Sequence, residues 1–343
     1  MKAWLLKAVS DLTKVKTPLT LEDFTVSDPK ENQVLIKVFC CGICHTELDE
    51  IEGRTPPPFF PVIPGHQVIG IVEKVGEKVS ILKEGERVGV AWIFSACGHC
   101  EYCEKGLENL CPDFKATGRD ANGGYAEYML VDEKFAFPIP QDLSDFEAAP
   151  LLCAGAIGYR SLKLTGLSDG QALGLTGFGS SGHLVLKMAK FLFPNSPIFV
   201  FARSIEEQQF SLRLGADWAG DIDEVPPKKL LAIIDTTPVW RTVIGSLHHL
   251  NPAGRLVINA IRKESQDMQF LLNLNYPDHL WMEKEIKSVA NITRLDVEEF
   301  LQLAAKVPIR PQVEVYPFEK ANEALVELKR GHIKGAKVLD CLH

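Results

Sequence analysis

Four closely spaced cysteines constrain this chain more than any other feature of its sequence. Cys97, Cys100, Cys103 and Cys111 lie within the segment CGHCEYCEKGLENLC. Four thiolates in so short a stretch can close a tetrahedron around one zinc ion, and a closed site of this kind leaves no position for a substrate. The spacing therefore predicts a loop that is held together by a structural zinc ion.

An iron–sulfur cluster is the alternative for this cysteine group, because a Cys-x2-Cys-x2-Cys run with a later Cys-Pro also occurs in ferredoxins. Seven residues separate Cys103 from Cys111 here, whereas the ferredoxin run has about three at that place. We therefore favour zinc, and a colourless protein would decide between the two metals.

A second group of potential metal ligands is dispersed along the chain. It comprises Cys44 in CGICHTE, His66 in PGHQ and Cys153 in PLLCAG. Two cysteines and one histidine supply three protein ligands and leave a fourth position open, which is the pattern of catalytic zinc sites. The two groups together predict two zinc ions per chain.

Length and composition narrow the class of protein. The chain has 343 residues, of which 46% are hydrophobic and 24% charged. At roughly 150 residues per domain, this length predicts about two globular domains. A net charge of −8 argues against nucleic acid and anionic membranes as partners. No apolar run approaches the ~18 residues that a membrane-spanning helix needs.

The remaining cysteines bear on the cellular compartment. The first residues, MKAWLLKAV, lack the features of a secretion signal and are interpreted as a first strand. Nine cysteines without such a signal indicate a reducing, cytoplasmic compartment, where closely spaced cysteines are metal ligands more often than disulfides. Cys40, Cys41 and Cys341 belong to neither metal group, and we interpret them as small buried hydrophobic residues.

Hydrophobic patterning changes near residue 154. The first part is β-rich, with apolar runs at 34–39, 68–75 and 87–92 between Gly, Pro and charged turns. Beyond residue 154, apolar strands at 172–176, 198–201, 230–235 and 254–259 alternate with helical patterns. One such helix is predicted to begin with a capping box of Ser204 and Glu207 and to run to about Leu214. The alternation predicts a parallel, doubly wound α/β sheet.

A glycine-rich turn follows the first of those later strands and opens a helix. It consists of Gly177, Phe178, Gly179, Ser180, Ser181 and Gly182. In a GxGxxG turn, the first glycine allows the tight bend, the second lets the backbone approach a pyrophosphate, and the third lets helix and strand pack closely. The helix N-terminus offers N–H groups to the phosphates. The turn therefore predicts NAD or NADP binding, with an ordinary glycine-rich turn as the alternative.

Combined, these features resemble the zinc-dependent medium-chain alcohol dehydrogenase family over essentially the whole chain. Six segments carry the resemblance in the family's order: CGICHTEL, PVIPGHQVIG, CGHCEYCEKGLENLC, PLLCAGAIGY, GFGSSG and VEVYPFEKANEALVELKRGHIKGAKVLD. The resemblance implies a GroES-like, β-rich catalytic domain formed by residues 1–153 and 291–343. It also implies an inserted Rossmann dinucleotide-binding domain at residues 154–290, and assembly as a homodimer or homotetramer.

The resemblance further implies roles for residues around the catalytic zinc. Cys44, His66 and Cys153 would bind the ion, which acts as a Lewis acid towards the substrate oxygen. Thr46 matches the hydroxyl that hydrogen-bonds this oxygen and starts a proton relay. Glu47 matches the carboxylate that orients the histidine ligand. Thr46 as a mere helix cap and Glu47 as a solvated surface acid are the alternatives.

Other positions match or depart from the family pattern. His45 matches a position that faces the cofactor pyrophosphate, with a solvent-facing side chain as the alternative. Gln67 stands where the family usually has Glu beside the histidine ligand, which puts the usual route of ligand exchange at the metal in question. Asp49 stands where many members have the histidine that ends the proton relay, and it is the candidate for that place, with direct release of the proton to solvent as the alternative.

Cofactor choice depends on the residues after the second strand of the Rossmann pattern, which here are Ala202, Arg203 and Ser204. Members that prefer NAD usually carry an acid at the first of these positions, where it binds the ribose hydroxyls. Arg203 can instead meet a 2′-phosphate, and Ser204 can add a hydrogen bond. We therefore expect NADP(H) to be used at least as well as NAD(H), with a solvated Arg203 as the alternative.

The sequence thus predicts an NAD(P)-dependent alcohol dehydrogenase that acts on small alcohols, aldehydes or ketones. A polyol, threonine or formaldehyde dehydrogenase of the same superfamily is a second enzyme hypothesis. A nucleotide-binding protein without catalysis is a third hypothesis, against which the retained zinc ligands and Thr46 argue. Trp92 and Phe114 are predicted either to line an apolar substrate pocket or to belong to the core.

Overall fold

The computed structural model describes residues 1–307, 309–331 and 335–342, with the backbone but not the side chain of Ser180. Residues 332–334 of the closing segment quoted above lie outside this description. Within the described residues the strands β1 to β17 are, in chain order, Lys2–Leu6, Leu19–Asp23, Gln33–Ile43, Val68–Val75, Arg87–Val90, Ile93–Ser95, Lys115–Ala116, Tyr128–Asp132, Phe137–Pro138, Leu173–Thr176, Ile198–Phe201, Trp218–Gly220, Leu230–Asp235, Leu250–Ile258, Glu285–Ser288, Val313–Pro317 and Ala336–Asp340.

The α-helices α1 to α9 of the same residues are His45–Ile51, Glu101–Glu104, Asp145–Pro150, Ala156–Thr165, Ser180–Leu192, Ile205–Arg213, Trp240–His249, Arg294–Lys306 and Ala321–Arg330. Short 3-10 turns lie at Glu108–Leu110, Glu133–Phe135, Met268–Asn273 and Phe318–Lys320, and π-helical turns at Leu151–Gly155 and Tyr276–Leu280. None of the described helices is long and apolar enough to cross a membrane.

The described residues form two compact units. One comprises residues 1–153 and 292–343, and the other comprises residues 154–291. The first is rich in antiparallel strands, and the second alternates strands with helices around a parallel sheet. This combination confirms the predicted α/β fold class.

Strand β3 organises the first unit. It pairs with β4, β8 and β17 in a sheet whose main order is β16-β17-β3-β4-β5-β9. The residues of β3 alternate between buried and less buried positions over the first half of the strand, as expected where one face lies on a core. Cys40, Cys41 and Cys341 are buried, which confirms the interpretation of these thiols as core residues.

The pairing of β3 with β4 brings two predicted metal ligands to one end of the sheet. Cys41 near the end of β3 lies opposite Val68 at the start of β4. The N–H of Gly42 donates to the carbonyl oxygen of Gln67 over 2.9 Å, which extends this pairing beyond β4. Because the strands are antiparallel, the residue that follows β3 and the residue that precedes β4 must lie close together.

The second unit contains a six-stranded parallel sheet with the order β12-β11-β10-β13-β14-β15. Every residue of β10 and β11 is buried, as expected for strands that are covered on both faces. The order reverses direction between β10 and β13, which is the arrangement of a Rossmann fold. The strand predicted at 254–259 begins four residues earlier in the structure, where β14 spans Leu250–Ile258. Its pairing with β13 has an irregularity between Leu230 and Ala232.

Candidate active site

Cys44 lies at the junction between β3 and α1. Its backbone is extended, and its sulfur accepts a hydrogen bond from the backbone N–H of Thr46 over 3.4 Å. In return, Oε2 of Glu47 accepts the N–H of Cys44 over 2.8 Å. These reciprocal bonds form a capping box in which a cysteine replaces the usual serine or threonine. The start of α1 therefore fixes the position of the Cys44 sulfur.

Cys44, His66 and Cys153 meet at one point of the first unit. The sulfur of Cys44 lies 3.6 Å from Nε2 of His66 and 4.0 Å from the sulfur of Cys153. Two thiolates that each lie about 2.3 Å from a tetrahedral zinc ion are about 3.8 Å apart. The donor set and its spacing therefore fit one zinc ion with three protein ligands.

Cys44 lies in surroundings that disfavour its thiolate form when no cation is present. The neighbouring Cys153 thiol and burial raise the pKa of Cys44 well above its ordinary value. A divalent cation at the centre of the group reverses this effect, because it stabilises thiolates directly. These surroundings therefore disfavour a free Cys44 thiolate.

Glu47 orients His66. Its Oε1 lies 2.5 Å from Nδ1 of His66, and the two side chains are 0% and 1% exposed. Burial disfavours the charged imidazole, but Glu47 and Cys44 together hold the pKa of His66 well above its ordinary value. With Nδ1 bound to the carboxylate, Nε2 faces the two sulfurs as a metal ligand requires. Glu47 is a buried partner of the histidine and not a solvated surface acid.

The other predicted residues of α1 lie in different surroundings. Thr46 is half-buried directly beside Cys44, whereas the side chain of His45 is exposed. Asp49 is buried, and its carboxylate forms an ion pair with Arg54. Asp49 therefore already has a charged partner of its own, which the sequence did not indicate.

Gln67 follows the histidine ligand and is buried. Its side chain lies so close to Gly42 that a Cβ atom at that glycine would be 2.5 Å from Oε1 of Gln67. The amide nitrogen of Gln67 has no hydrogen-bond partner among the described residues. The glycine in β3 thus provides the space that this amide occupies.

Glu50 is a candidate functional residue that the sequence reasoning missed. It lies one helical turn after Glu47 in α1 and is 1% exposed. Burial and then the charge of Glu47 raise the pKa of Glu50 to about 8. The signal in the sequence was the spacing of three residues, which places both carboxyl groups on one face of the helix. The surroundings of α1 therefore favour the protonated form of Glu50.

Trp92 and Phe114 pack on each other with ring centroids 5.5 Å apart. The guanidinium group of Arg119 lies over the Trp92 ring at 5.5 Å from its centroid. Both aromatic side chains are half-buried, so they are not enclosed on every side as core residues are. Their exposed faces leave the pocket-lining interpretation open.

The second cysteine group forms a compact lobe of the first unit. The sulfur atoms of Cys97, Cys100, Cys103 and Cys111 all lie within 4.8 Å of one another. The sulfurs of Cys97 and Cys103 are 3.9 Å apart, which again matches two ligands of one tetrahedral ion. The backbone N–H groups of Cys97 and Gly98 donate to Cys111 and Cys103 over 3.4 Å each, as expected for sulfur ligands that are held in place by the backbone.

A third group, His248, Asp278 and His279, also places potential ligand atoms within 4.8 Å of one another. The backbone N–H of Asn275 donates to Nδ1 of His279 over 2.8 Å, so the proton of this neutral ring lies on Nε2. That Nε2 is the atom nearest to Asp278, at 3.5 Å. Protonated nitrogens cannot bind a metal, so we interpret the group as a hydrogen-bonded surface cluster.

The glycine turn of the second unit has the geometry that its three glycines predict. Gly177 has a φ of 82°, and a Cβ atom there would lie 2.8 Å from Oγ1 of Thr236. Gly179 has open space around its Cα atom, so another molecule can approach the backbone. A Cβ atom at Gly182 would lie 2.8 Å from the carbonyl oxygen of Gly177. The turn can therefore hold a pyrophosphate against the start of α5.

The non-glycine residues of the turn differ in what they can offer. Phe178 is buried and packs edge-on against Phe210, with centroids 5.8 Å apart, so only its backbone is available to a ligand. Ser181 is half-buried in the first turn of α5. The side chain of Ser180 lies outside the described part of the chain.

Arg203 and Ser204 follow β11. Arg203 is exposed and forms no ion pair with the described residues. The Oγ of Ser204 accepts the N–H of Glu207 over 3.1 Å and so caps α6. The predicted capping box was wrong in one half, because among the described residues the structure shows the bond from Glu207 N–H to Ser204 but no reciprocal bond from the partly exposed Glu207 carboxylate.

Comparison with known proteins agrees with this arrangement. Residues 30–141 match the family model of the alcohol dehydrogenase GroES-like domain. A probable alcohol dehydrogenase AdhA of Mycobacterium tuberculosis is 40% identical over 99% of this chain and 97% of its own length. An alcohol dehydrogenase of Geobacillus stearothermophilus is 33% identical over 94% of this chain and 96% of its own length. A solved cinnamyl alcohol dehydrogenase from Sorghum bicolor superposes with a TM-score of 0.84, covering 99% of this chain and 97% of that one, at 27% identity.

The chain therefore belongs to the zinc-dependent medium-chain alcohol dehydrogenase family, as the sequence predicted. Its fold is the family's combination of a GroES-like part and a Rossmann part. It is an NAD(P)-dependent alcohol dehydrogenase by class.

Replacing Glu47 by Ala should weaken metal binding at the open site by about 10- to 100-fold, because the histidine ligand loses the carboxylate that orients it. Metal content after dialysis against graded concentrations of chelator measures this loss. Glu31→Ala is the control, since Glu31 makes only an exposed ion pair with Lys78 in the same unit. Equal metal retention by Glu47→Ala and wild type would show that Glu47 does not support His66.

Proposed function

We propose that the enzyme transfers hydride reversibly between a primary or secondary alcohol and NAD(P), with Cys44, His66 and Cys153 holding its catalytic zinc ion. The observation that carries this proposal is the convergence of two sulfurs and one carboxylate-oriented imidazole, with spacings that fit one ion. Zinc bound there would supply Lewis acidity towards the substrate oxygen, and the nicotinamide would supply or take the hydride. We propose that the four-cysteine lobe holds a second, structural zinc ion.

The protein's own groups orient the reactants and move the proton. We assign Oγ1 of Thr46 as the atom that accepts the hydroxyl proton of the alcohol while it passes its own proton on, because this residue lies half-buried beside Cys44. Asp49 is our candidate for the end of the relay. Its carboxylate forms an ion pair with Arg54, and the relay would end there with release of the proton to solvent.

The two compact units would divide the work. The unit of residues 1–153 and 292–343 carries both cysteine groups, and we propose that it is the catalytic domain. The unit of residues 154–291 carries the glycine turn at the switch point of its parallel sheet, and we propose that it binds the dinucleotide. Arg203 at the end of β11 would meet a 2′-phosphate.

We propose that the enzyme works as a homo-oligomer in the cytoplasm. The second unit supports the assembly, because β15 lies at one end of its described sheet order and large apolar side chains in β15 and in the segment that precedes it are exposed. These side chains are Leu272, Tyr276, Trp281, Met282 and Ile286. Exposed apolar patches of this kind mark protein interfaces. The grouping of seven thiol or imidazole ligands into two metal sets suits a reducing compartment.

Cys44→Ser tests the catalytic assignment. We expect wild type to contain about two zinc ions per chain, and the variant to contain one, to lose turnover and still to bind NAD(P)H. Cys103→Ser should remove the other ion, and Cys341→Ser should keep both, because Cys341 is buried outside both ligand groups. Metal analysis, initial rates and cofactor titration measure these outcomes. Near-wild-type turnover by Cys44→Ser would refute the mechanism.

Arg203→Ala tests cofactor choice. Loss of a charged hydrogen bond to the 2′-phosphate should weaken NADP(H) by about 1.5–3 kcal/mol and leave NAD(H) nearly unchanged. Initial rates for a panel of alcohols and aldehydes with both cofactors measure the preference and the substrate range together. Arg213→Ala is the control, since Arg213 is exposed on α6. An equal effect on both cofactors, or a wild type that clearly prefers NAD(H), would contradict the assignment.

Trp281→Glu tests the proposed interface. A charge among these apolar side chains should shift the enzyme towards the monomer, because burying an unpaired carboxylate in a contact is unfavourable. Sedimentation velocity measures the mass of each species. Val225→Glu is the matched control, because Val225 is exposed outside this face. A monomeric wild type, or an unchanged mass for Trp281→Glu, would argue against this face as the interface.

A further inference from the structure

Lys263 connects the loop that follows β14 to the end of β13 and the loop after it, in the second unit. Its ammonium group forms an ion pair with Asp235 and donates to the carbonyl oxygens of Thr237 and Val239 over 2.8 and 3.2 Å. The side chains of Lys263 and Asp235 are 9% and 0% exposed. Lys263 lies on the segment that follows β14. All three N–H donors of its ammonium group are used by acceptors at the end of β13 and on the loop that follows β13.

Further bonds make the two loops one unit. The second carboxylate oxygen of Asp235 accepts the hydroxyl and the backbone N–H of Thr237 over 2.9 and 3.3 Å. The backbone N–H of Asn259 donates to the carbonyl oxygen of Asp235, and that of Glu264 donates to Pro238, over 2.8 and 2.7 Å. The charge pair is buried at the centre of these bonds, so the geometry of both loops depends on it.

This pair of loops lies directly beside the glycine turn. Both the backbone N–H and the hydroxyl of Thr236 donate to the carbonyl oxygen of Thr176 over 3.0 Å. Thr176 is the last residue of β10, and Gly177 follows it without room for a side chain, because Thr236 is too close. The loop that Lys263 holds is therefore one wall of the proposed pyrophosphate site.

The order of the strands indicates which half of a dinucleotide meets this wall. Parallel strands bind ligands at their carboxyl ends, across the point where the order reverses, which here lies between β10 and β13. Arg203 lies on the β11 side of the glycine turn, where the adenosine half is proposed to bind. The nicotinamide half then extends to the other side, over the carboxyl ends of β13 and β14, where Lys263 and Asp235 lie.

We propose that Lys263 is a positioning residue for the nicotinamide half of the cofactor. Through Asp235 and the carbonyl oxygens of Thr237 and Val239, it holds the loop after β13 in the shape that receives this half. The inference rests on the proposed function, because it assumes that this unit binds NAD(P). It goes further than that function, because Lys263 and Asp235 belong neither to the glycine turn nor to the metal groups. Lys263 acts through the loop and does not itself touch the reacting atoms.

Lys263→Met in the full-length, zinc-loaded enzyme tests this role. Titration calorimetry compares the binding of NADPH with that of 2′,5′-ADP, which carries only the adenosine half. We expect weaker binding of NADPH, unchanged binding of 2′,5′-ADP, and a kcat lower by about 10- to 100-fold, because small misplacements of a reactant have effects of that size. Lys190→Met is the control, since it breaks the partly exposed pair with Asp217 in the same unit and should change neither ligand.

A buried, unpaired carboxylate can prevent folding, so the double variant Asp235→Asn with Lys263→Met is measured as well. It removes both charges and the bonds from Lys263, and we expect the same selective loss of NADPH binding. Equal weakening of both ligands, or wild-type binding of both, would overturn the positioning role. A wild type that binds neither NADPH nor NADH would refute the proposed function itself, which is a separate outcome.

Discussion

Glu47 makes two contacts at once, and the candidate zinc site depends on both. One carboxylate oxygen accepts the N–H of Cys44 and closes the capping box, and the other holds Nδ1 of His66. The first contact fixes where α1 begins and hence where the Cys44 sulfur lies. The second fixes the ring of the histidine ligand. A single buried charge thus couples the start of a helix to the geometry of two ligands, with no solvent to weaken either contact.

The antiparallel register of β3 and β4 makes that double contact possible. It brings the end of one strand beside the start of the other, so Cys44 and His66 approach although they are 22 positions apart in the sequence. The space for this approach comes from small residues. Gly42 leaves room for the Gln67 side chain, and a Cβ atom at Gly65 would collide with the ring of Tyr125. Packing around the ligands is therefore as restrictive as the ligands themselves.

The sequence predicted the parts of the site that depend on local patterns. The two cysteine groups, the glycine turn and most strands were found because ligand spacing, turn chemistry and hydrophobic period are local properties. Glu50 was missed because its burial depends on tertiary packing around α1, and Arg54 was missed because its pairing with Asp49 depends on the course of the loop after that helix. Ser204 shows the opposite case, in which a local motif predicted more than the structure contains. Its side chain accepts the N–H of Glu207, but among the described residues the second bond of the capping box did not form.

Asp235 and Lys263 show most clearly what a single sequence cannot reveal. They are 28 residues apart, and neither stands in a motif, yet their two side chains are buried together as an ion pair. Burial raises the pKa of Asp235, and the ammonium group of Lys263 opposes that rise. Removing one partner leaves a buried, uncompensated charge, which destabilises the fold. Replacing both partners by neutral groups avoids this cost of burying a charge. The two positions are therefore constrained as a pair, and a relative that lacks one of these charges should lack the other as well.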